Sequence, residues 1–253
     1  PTIALITFDG NRAIKTEDLE DGLADAGFSE GEVFNAGKLE KVIQELKRQY
    51  YANGKYGAQI DHEIVPIGDD AVEINFEIEE GQAAKIKQIK IIGNTIYSDE
   101  ELTKVFKLKT GNWLSWFRKD DQYSKQKLSG DLETLRSWYQ DYGFLNFSID
   151  STQVSISPDK ESVYVTINIT EGDSFVISRV RLSGTLIIEA KELYGFVFTR
   201  KGDIFSRKML EATSKAISDR LGHEGYAFAN VNPIPDVDNE SKTAELTYYI
   251  DPG

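Results

Sequence analysis

The stretch that decides the fold is VTINITEG, Val165 to Gly172, because the chain contains it in three related versions. INFEIEEG runs from Ile74 to Gly81, and LTYYIDPG runs from Leu246 to Gly253. Aligned on their final glycines, the three versions share apolar residues at alternate positions, the period of a strand with one buried face. We therefore predict three copies of one strand, with these side chains facing a core: Val72, Ile74, Phe76 and Ile78; Val163, Val165, Ile167 and Ile169; Ala244, Leu246, Tyr248 and Ile250.

Two further landmarks accompany each copy of this strand in the same order. Each repeat opens with a short apolar strand pattern that ends in a glycine, and a later helical pattern ends in a glycine that an aromatic residue soon follows. Such recurrent glycines are typical of helix ends and tight turns. We predict backbone roles for Gly10, Gly54, Gly81, Gly93, Gly143, Gly172, Gly184 and Gly225.

Between the first two landmarks, each repeat has room for two helices, so each is predicted to read β-α-α-β-β. Thr16 is expected to cap the first helix of the first repeat, and Ser98 with Glu101 forms a capping-box pattern in the second. A repeat of roughly 80 to 90 residues can hold two helices packed on a three-stranded mixed sheet. The predicted fold class is therefore α+β, with tandem domains at residues 1–81, 82–172 and 173–253.

Composition narrows the classes of function. The 253 residues carry a net charge of −13, which disfavours binding to nucleic-acid phosphates. Cysteine is absent, so a disulfide scaffold and thiolate chemistry are excluded. No stretch approaches the roughly 18 to 20 apolar residues of a membrane span, and strand-like sequence follows Pro1 directly without a signal-peptide pattern. We expect this chain to be a piece of a longer protein.

The order β-α-α-β-β, the glycine-asparagine pair after the first strand, the glycine-aromatic turn and the terminal Glu-Gly resemble the POTRA domain, the periplasmic repeat of outer-membrane protein insertion machines. Two long phrases carry the resemblance furthest, QKLSGDLETLRSWYQDYGF at 126–144 and NFSIDSTQVSISPDKESVYVTINITEGD at 146–173. The resemblance covers the whole chain, and the repeats look like the second, third and fourth domains of an assembly factor of Gram-negative bacteria. The third repeat departs most, with Thr185 in place of the asparagine.

The resemblance implies a periplasmic scaffold without cofactor or covalent chemistry, within a parent protein of the bacterial outer membrane. It implies two kinds of partner: unfolded outer-membrane proteins, with or without periplasmic chaperones, and accessory lipoproteins of the assembly complex, with BamB and BamD expected. No nucleic-acid partner is expected, and this fragment is not expected to span the membrane itself. Two alternatives stay open, namely a passive spacer between barrel and partners, and the POTRA region of a related translocation or secretion protein.

A sheet edge is the first candidate binding site, because its free N–H and C=O groups can add a strand from another chain. By resemblance the available edge is the second strand, at Gln59 to Pro66, Asn146 to Ser157 and Phe228 to Pro235. The middle edge is predicted to be the longest and the least protected by proline or lysine, and its changing alternation predicts a β-bulge between Ile149 and Val154. A purely protective edge is the alternative. The candidate residues are Asn146, Phe147, Ser148, Ile149, Asp150, Ser151, Thr152, Gln153, Val154, Ser155 and Ile156.

A cluster of aromatic residues, Trp113, Trp116 and Phe117, is the second candidate binding site. It lies in a segment that is longer than its counterparts in the other repeats. Aromatic residues in a loop can anchor a partner, as they do at interface hot spots. Packing onto their own helices is the alternative, and the sequence favours it.

Signals for catalysis or metal binding are weak. His62 and His223 lie in different repeats, away from any carboxylate cluster at metal-ligand spacing. No nucleophile elbow, triad phrase or glycine-rich phosphate loop is present. The sequence therefore predicts no catalytic residue, no metal site and no cofactor, and an enzyme would need a site assembled from scattered residues.

Overall fold

The computed structural model describes residues 1–111, 115 and 119–253. They form three sheets of three strands each, with helices between the first and second strand of every sheet. This confirms the α+β fold of three tandem domains. The strands are β1 Thr2–Asp9, β2 Gln59–Ile67, β3 Ala71–Glu79, β4 Lys85–Ile92, β5 Ser148–Ile156, β6 Ser162–Thr170, β7 Val176–Gly184, β8 Asn230–Asp238 and β9 Thr243–Asp251. The helices are α1 Thr16–Asp25, α2 Ala36–Ala52, α3 Asp99–Thr103, α4 Lys125–Asp141, α5 Ala190–Leu193 and α6 Arg207–His223.

The strand that ends in the repeated phrase is the central strand of each sheet, in the orders β1-β3-β2, β4-β6-β5 and β7-β9-β8. In the first and third domains it runs parallel to the first strand and antiparallel to the second. Its central place explains the strict alternation, since one whole face is covered by helices. All twelve of the apolar side chains predicted to face a core are buried.

Two β-bulges in the first strands were not predicted. The register of β1 with β3 shifts between Ile3 and Leu5, and that of β7 with β9 shifts between Ile177 and Arg179. An extra residue bends the strand and increases its twist. The apolar spacing of these short strands fits a bulged strand as well as a regular one, so the sequence pattern alone did not reveal the bulges.

The helix starts are only partly as predicted. Ser98 and Glu101 form the capping box before α3, which confirms that prediction. The expected cap at Thr16 is wrong, because Thr16 is the first residue of α1 and Lys15 precedes it without a side-chain cap. In the third domain the first helix is a single turn, α5, followed by a 3-10 turn at Tyr194–Phe196.

The eight recurrent glycines all have positive φ angles, and at some of them the backbone also approaches closely. At Gly93, φ is +100°, and an added Cβ would lie 2.0 Å from the carbonyl oxygen of Ile169. Gly54 and Gly143 accept backbone hydrogen bonds of 2.9 Å from Ala84 and Phe175, the residues that follow each repeat boundary. A side chain is therefore excluded at Gly93 both by backbone conformation and by lack of space.

By their contacts, the residues divide into two compact units. One comprises Pro1–Lys90, Phe106–Asp131 and Gln153–Thr166, and the other comprises Ile91–Val105, Leu132–Thr152 and Ile167–Gly253. The boundary between these units crosses the middle sheet. The domain boundaries placed after Gly81 and Gly172 therefore stay a prediction.

Candidate functional site

Each sheet has two edges, and the start of the first-strand edge is covered in all three domains. Ile3 donates a backbone hydrogen bond of 2.8 Å to Glu32, in the loop that connects the two helices. The same contact recurs from Ile86 in the middle domain, at 2.7 Å, and from Ile177 in the third, at 2.8 Å. The backbone of the helix-connecting loop thus pairs with the beginning of each first strand and, among the residues that the structure describes, makes no backbone hydrogen bond to the later residues of that edge.

The second-strand edges are open along their length. Within residues 1–111, 115 and 119–253, no backbone hydrogen bond from outside the sheet reaches β2, β5 or β8. Their outward N–H and C=O groups are therefore available to water or to an added strand. The prediction that the middle edge is the longest is wrong, because all three of these strands have nine residues.

Proline distinguishes the three open edges. β2 contains Pro66 and β8 contains Pro233 and Pro235, whereas β5 contains neither proline nor lysine. Within a sheet, proline is tolerated where its missing N–H would have faced away from the neighbouring strand. The prolines therefore remove outward donors from β2 and β8, and β5 retains its full set.

The outward positions of β5 follow from its hairpin. The N–H of Ser157 donates to the carbonyl of Ser162 at 2.9 Å, so Ser157 faces β6. Alternation then places the N–H groups of Thr152, Val154 and Ile156 on the outer edge. Counted back from the hairpin turn, Thr152 and Val154 correspond to Pro233 and Pro235 of β8, and Ile156 corresponds to Pro66 of β2.

The candidate residues before β5 have other contacts. Phe147 is buried and stacks on Tyr139 with ring centroids 4.2 Å apart, so its side chain is not available to a partner. Asn146 donates from its side-chain amide to Asn239 at 3.0 Å. Neither residue belongs to the strand, and the open edge begins at Ser148.

Within β5, exposure changes phase where a bulge was predicted. Ser148 and Ile149 are half-buried in succession, Asp150 and Ser151 are exposed in succession, and alternation resumes from Thr152 onward. Hydrogen bonds from the hydroxyls of Thr170 and Ser148 hold the pKa of the Asp150 carboxyl below its usual value. The phase change agrees with a bulge near Asp150.

The second candidate site, Trp113, Trp116 and Phe117, lies outside the described residues. Both interpretations of this cluster, partner binding and packing onto its own helices, therefore stay predictions, and the sequence favours packing.

Glu171, a buried carboxylate that the sequence did not mark as a site residue, has a structural role. Glu171 accepts hydrogen bonds from the N–H of Thr95 at 2.9 Å, its hydroxyl at 2.7 Å, and the hydroxyl of Tyr139 at 2.8 Å. Burial alone would raise the pKa of Glu171, but these bonds and those from Ile96 outweigh it and hold the pKa below its usual value. Glu171 thus ties the turn after β4 to helix α4 and stays ionised.

The first domain repeats this arrangement with different contacts. Glu80 accepts hydrogen bonds of 2.6 Å from the backbone N–H groups of Arg12 and Ala13, in the turn after β1. Tyr50 is fully buried, and burial together with the neighbouring Glu80 raises the pKa of its hydroxyl. In both domains a tyrosine stands four residues before the turn glycine, and a glutamate stands directly before the terminal glycine. This recurring pair is the sequence signal for the buried carboxylate.

No arrangement for catalysis or metal binding is found in the part of the chain that the structure describes. His62 lies exposed on β2 and His223 ends α6, and no three His, Asp or Glu side chains among the described residues are grouped to hold a metal ion. Three acidic residues form a row on the outer face of the first sheet, where Glu77 lies between Asp9 and Asp61. No helix among the described residues has the length and apolar character to cross a membrane.

The three sheets with their repeated turns match a known family over nearly the whole chain. The profile of POTRA, described as "Surface antigen variable number repeat", matches residues 1–81, 84–172 and 175–253. The chain belongs to the POTRA family. The three POTRA matches follow the order of the three sheets, each covering one β-α-α-β-β set.

Two curated relatives match along nearly the whole length of this chain. The chain is 28% identical over 254 residues to the outer membrane protein assembly factor BamA of Neisseria meningitidis serogroup B, covering 100% of this chain and 32% of the relative. It is 27% identical to BamA of Buchnera aphidicola, covering 99% of this chain and 41% of the relative. The chain therefore spans about a third of the length of the curated relatives it matches.

A solved POTRA structure supports the fold. The crystal structure of Haemophilus influenzae BamA POTRA3-5 matches with a TM-score of 0.55 at 18% identity, covering 99% of this chain and 96% of that one. At this identity the likeness shows the fold alone. The numbering of the three domains as second to fourth stays a prediction.

Proposed function

We propose that the chain is a periplasmic, non-enzymatic scaffold of the outer-membrane protein assembly machinery, within a longer parent protein of the outer membrane. The similarity to proteins named as assembly factors supports this proposal. Its clients are unfolded outer-membrane proteins, and its fixed partners are accessory lipoproteins of the assembly complex, BamB and BamD among them.

The observation that carries client binding is the outer edge of β5, which keeps its outward donors while β2 and β8 lose donors to proline. Backbone hydrogen bonds depend little on side-chain identity, so one edge can add strands of many different clients. This property suits a scaffold that handles a whole class of proteins.

The side chains along β5 fit the alternation of an outer-membrane strand. Val154 is half-buried, whereas Ser151, Gln153 and Ser155 are exposed on the other face. Strands of outer-membrane barrels alternate apolar and polar residues. An added strand would place its apolar side chains beside Val154 and its polar side chains beside Ser151, Gln153 and Ser155.

A peptide titration tests the proposal. A synthetic peptide from an outer-membrane strand is added to the isotopically labelled chain, and backbone amide shifts are followed by NMR. We expect shifts at Thr152, Val154 and Ile156. No shift at millimolar peptide would leave the chain as a passive spacer.

A variant with two prolines provides the matched comparison. Thr152→Pro with Val154→Pro gives β5 the proline pattern that β8 already has at Pro233 and Pro235, so the sheet is expected to form. Binding should be lost, because two outward donors are removed. Retained binding in a folded variant would rule out strand addition at this edge.

Lipoprotein docking is tested separately. Purified BamB and BamD are titrated calorimetrically into the chain and into the double-proline variant. We expect binding that the prolines do not change, which separates fixed partners from clients. Absence of binding by either lipoprotein would remove docking from the proposal while leaving the β5 edge untouched.

A further inference from the structure

The outer edge of β7 in the third domain differs from the equivalent edges of β1 and β4 in the side chains that contact it. All three edges begin with the same loop cover. Gly31 donates to the carbonyl of Ile3 at 2.8 Å, and Gly202 donates to that of Ile177 at 2.7 Å. Beyond this cover the later residues of each first strand can be compared position by position.

The backbone N–H groups of Val180 and Leu182 in β7 point outward. The N–H of Ile177 bonds to the loop cover and that of Thr185 bonds to β9, so they face opposite sides. With the extra residue Ser178 between them, alternation places the N–H groups of Val180 and Leu182 on the outer edge. Among the residues that the structure describes, none accepts a hydrogen bond from either group.

In the other two domains a carboxylate occupies this edge. The N–H of Ile6 donates to Glu30 at 3.2 Å, and the N–H of Ile91 donates to Asp99 at 3.2 Å. Counted from the glycine that ends each strand, Ile6 corresponds to Val180. Each of these carboxylates satisfies an edge donor that an incoming strand would need.

The third domain has lost both of these acceptors. Lys201 stands where Glu30 stands in the first domain, one residue before the glycine that bonds to the first strand. Ala190 is the first residue of α5, as Asp99 is the first residue of α3. Neither a lysine ammonium nor an alanine methyl can accept a hydrogen bond.

Basic side chains surround the open edge instead. Arg179 and Arg181 are exposed on the outer face of β7, and Lys201 is exposed beside it, in a chain of net charge −13. Arg181 also forms an ion pair with Glu245 of the neighbouring strand β9, so part of its charge is already balanced. We propose that the outer edge of β7 adds an extended segment of a partner protein in which acidic residues alternate with apolar ones. The acidic side chains lie beside Arg179 and Arg181, and the apolar ones beside half-buried Val180 and Leu182.

The test uses the chain with the Thr152→Pro and Val154→Pro changes, so that β5 does not compete. The probe is a short synthetic peptide alternating glutamate and valine, and backbone amide shifts are followed by NMR. We expect the glutamate peptide to shift the amide signals of Val180 and Leu182. A peptide alternating lysine and valine should bind about tenfold more weakly than the glutamate peptide. Absence of these shifts overturns the proposal and leaves the β5 edge unaffected.

Two variants probe the edge itself. Lys201→Glu restores the carboxylate of the first domain and should weaken binding about tenfold, whereas Lys41→Glu makes the same charge change at an exposed position of α2 and should not. Val180→Pro removes an outward donor without removing a bond to β9 and should abolish binding. Equal affinity of the Lys201→Glu and Lys41→Glu chains for the glutamate peptide would contradict the assignment.

Discussion

The hydroxyl of Tyr139 donates a 2.8 Å hydrogen bond to Glu171, and the third domain replaces both partners together. Leu221 stands at the tyrosine position and Pro252 at the glutamate position. Either partner alone would leave a buried polar group unsatisfied, so their joint loss is the less costly change. The pair therefore acts as one structural unit of the middle domain.

Removing one partner of this pair should destabilise the middle domain. We expect Glu171→Gln to lower the unfolding free energy by about 2 kcal/mol and Tyr139→Phe by about 1 kcal/mol, since a buried charge-assisted hydrogen bond is lost in each. The double variant should lose less than the sum. The three tryptophans, Trp113, Trp116 and Trp138, all lie between residues 82 and 172, so urea unfolding followed by tryptophan fluorescence reports on this domain. Additive losses would show that the two side chains act independently.

Acid should destabilise the middle domain partly through Glu171. Its pKa is lowered in the folded state, so its contribution is present above the unfolded value of 4.5 and is lost as pH falls through the folded pKa. We expect Glu171→Gln to make the acid limb of the stability curve shallower. Glu101, Asp150 and Asp159 also have lowered pKa values and should preserve part of the slope. An unchanged limb in the Glu171→Gln chain would mean that this carboxylate does not contribute.

Gly93 should tolerate no side chain. Gly93→Ala combines a positive φ with a Cβ only 2.0 Å from a carbonyl oxygen, and we expect a loss of about 3 kcal/mol. Gly130→Ala is the matched control in the same domain, because Gly130 lies in α4 and an added Cβ there would meet no atom of the described residues within 4 Å. Higher helix propensity should make that variant more stable by about 0.5 to 1 kcal/mol. The same fluorescence measurement compares both, and similar effects of the two changes would contradict the close-approach argument.

The acidic row of the first sheet, Asp9, Glu77 and Asp61, should lower the stability of the first domain. Glu77 has Asp9 and Asp61 directly beside it on the two neighbouring strands, and like charges in this arrangement repel. We expect Glu77→Gln to raise the melting temperature by about 1 to 3 °C at low salt, with a smaller gain at high salt. Glu240→Gln, a charge removal in a turn of the third domain, is the control. A gain that does not depend on salt would exclude repulsion as its cause.

The sequence was sufficient to predict the fold because the strict alternation of apolar residues belongs to the central strands. One face of each central strand is buried, so a shift of register by one residue would expose its apolar side chains. It was not sufficient for the edges. The bulges near Ile3 and Ile177 and the burial of Phe147 depend on how neighbouring segments pair and pack, which the apolar spacing does not record. The role of Glu171 was visible only by comparing the tyrosine and glutamate positions across all three repeats.

The measurement that tests the scaffold account most directly is made in cells on the full-length parent protein. The parent carrying Thr152→Pro and Val154→Pro is expressed at its normal level, and the amount of folded outer-membrane proteins in the membrane is determined. The account predicts reduced assembly with unchanged lipoprotein binding, since only the β5 edge is blocked. Normal assembly by a folded double-proline parent would contradict client binding at this edge and would favour a passive spacer.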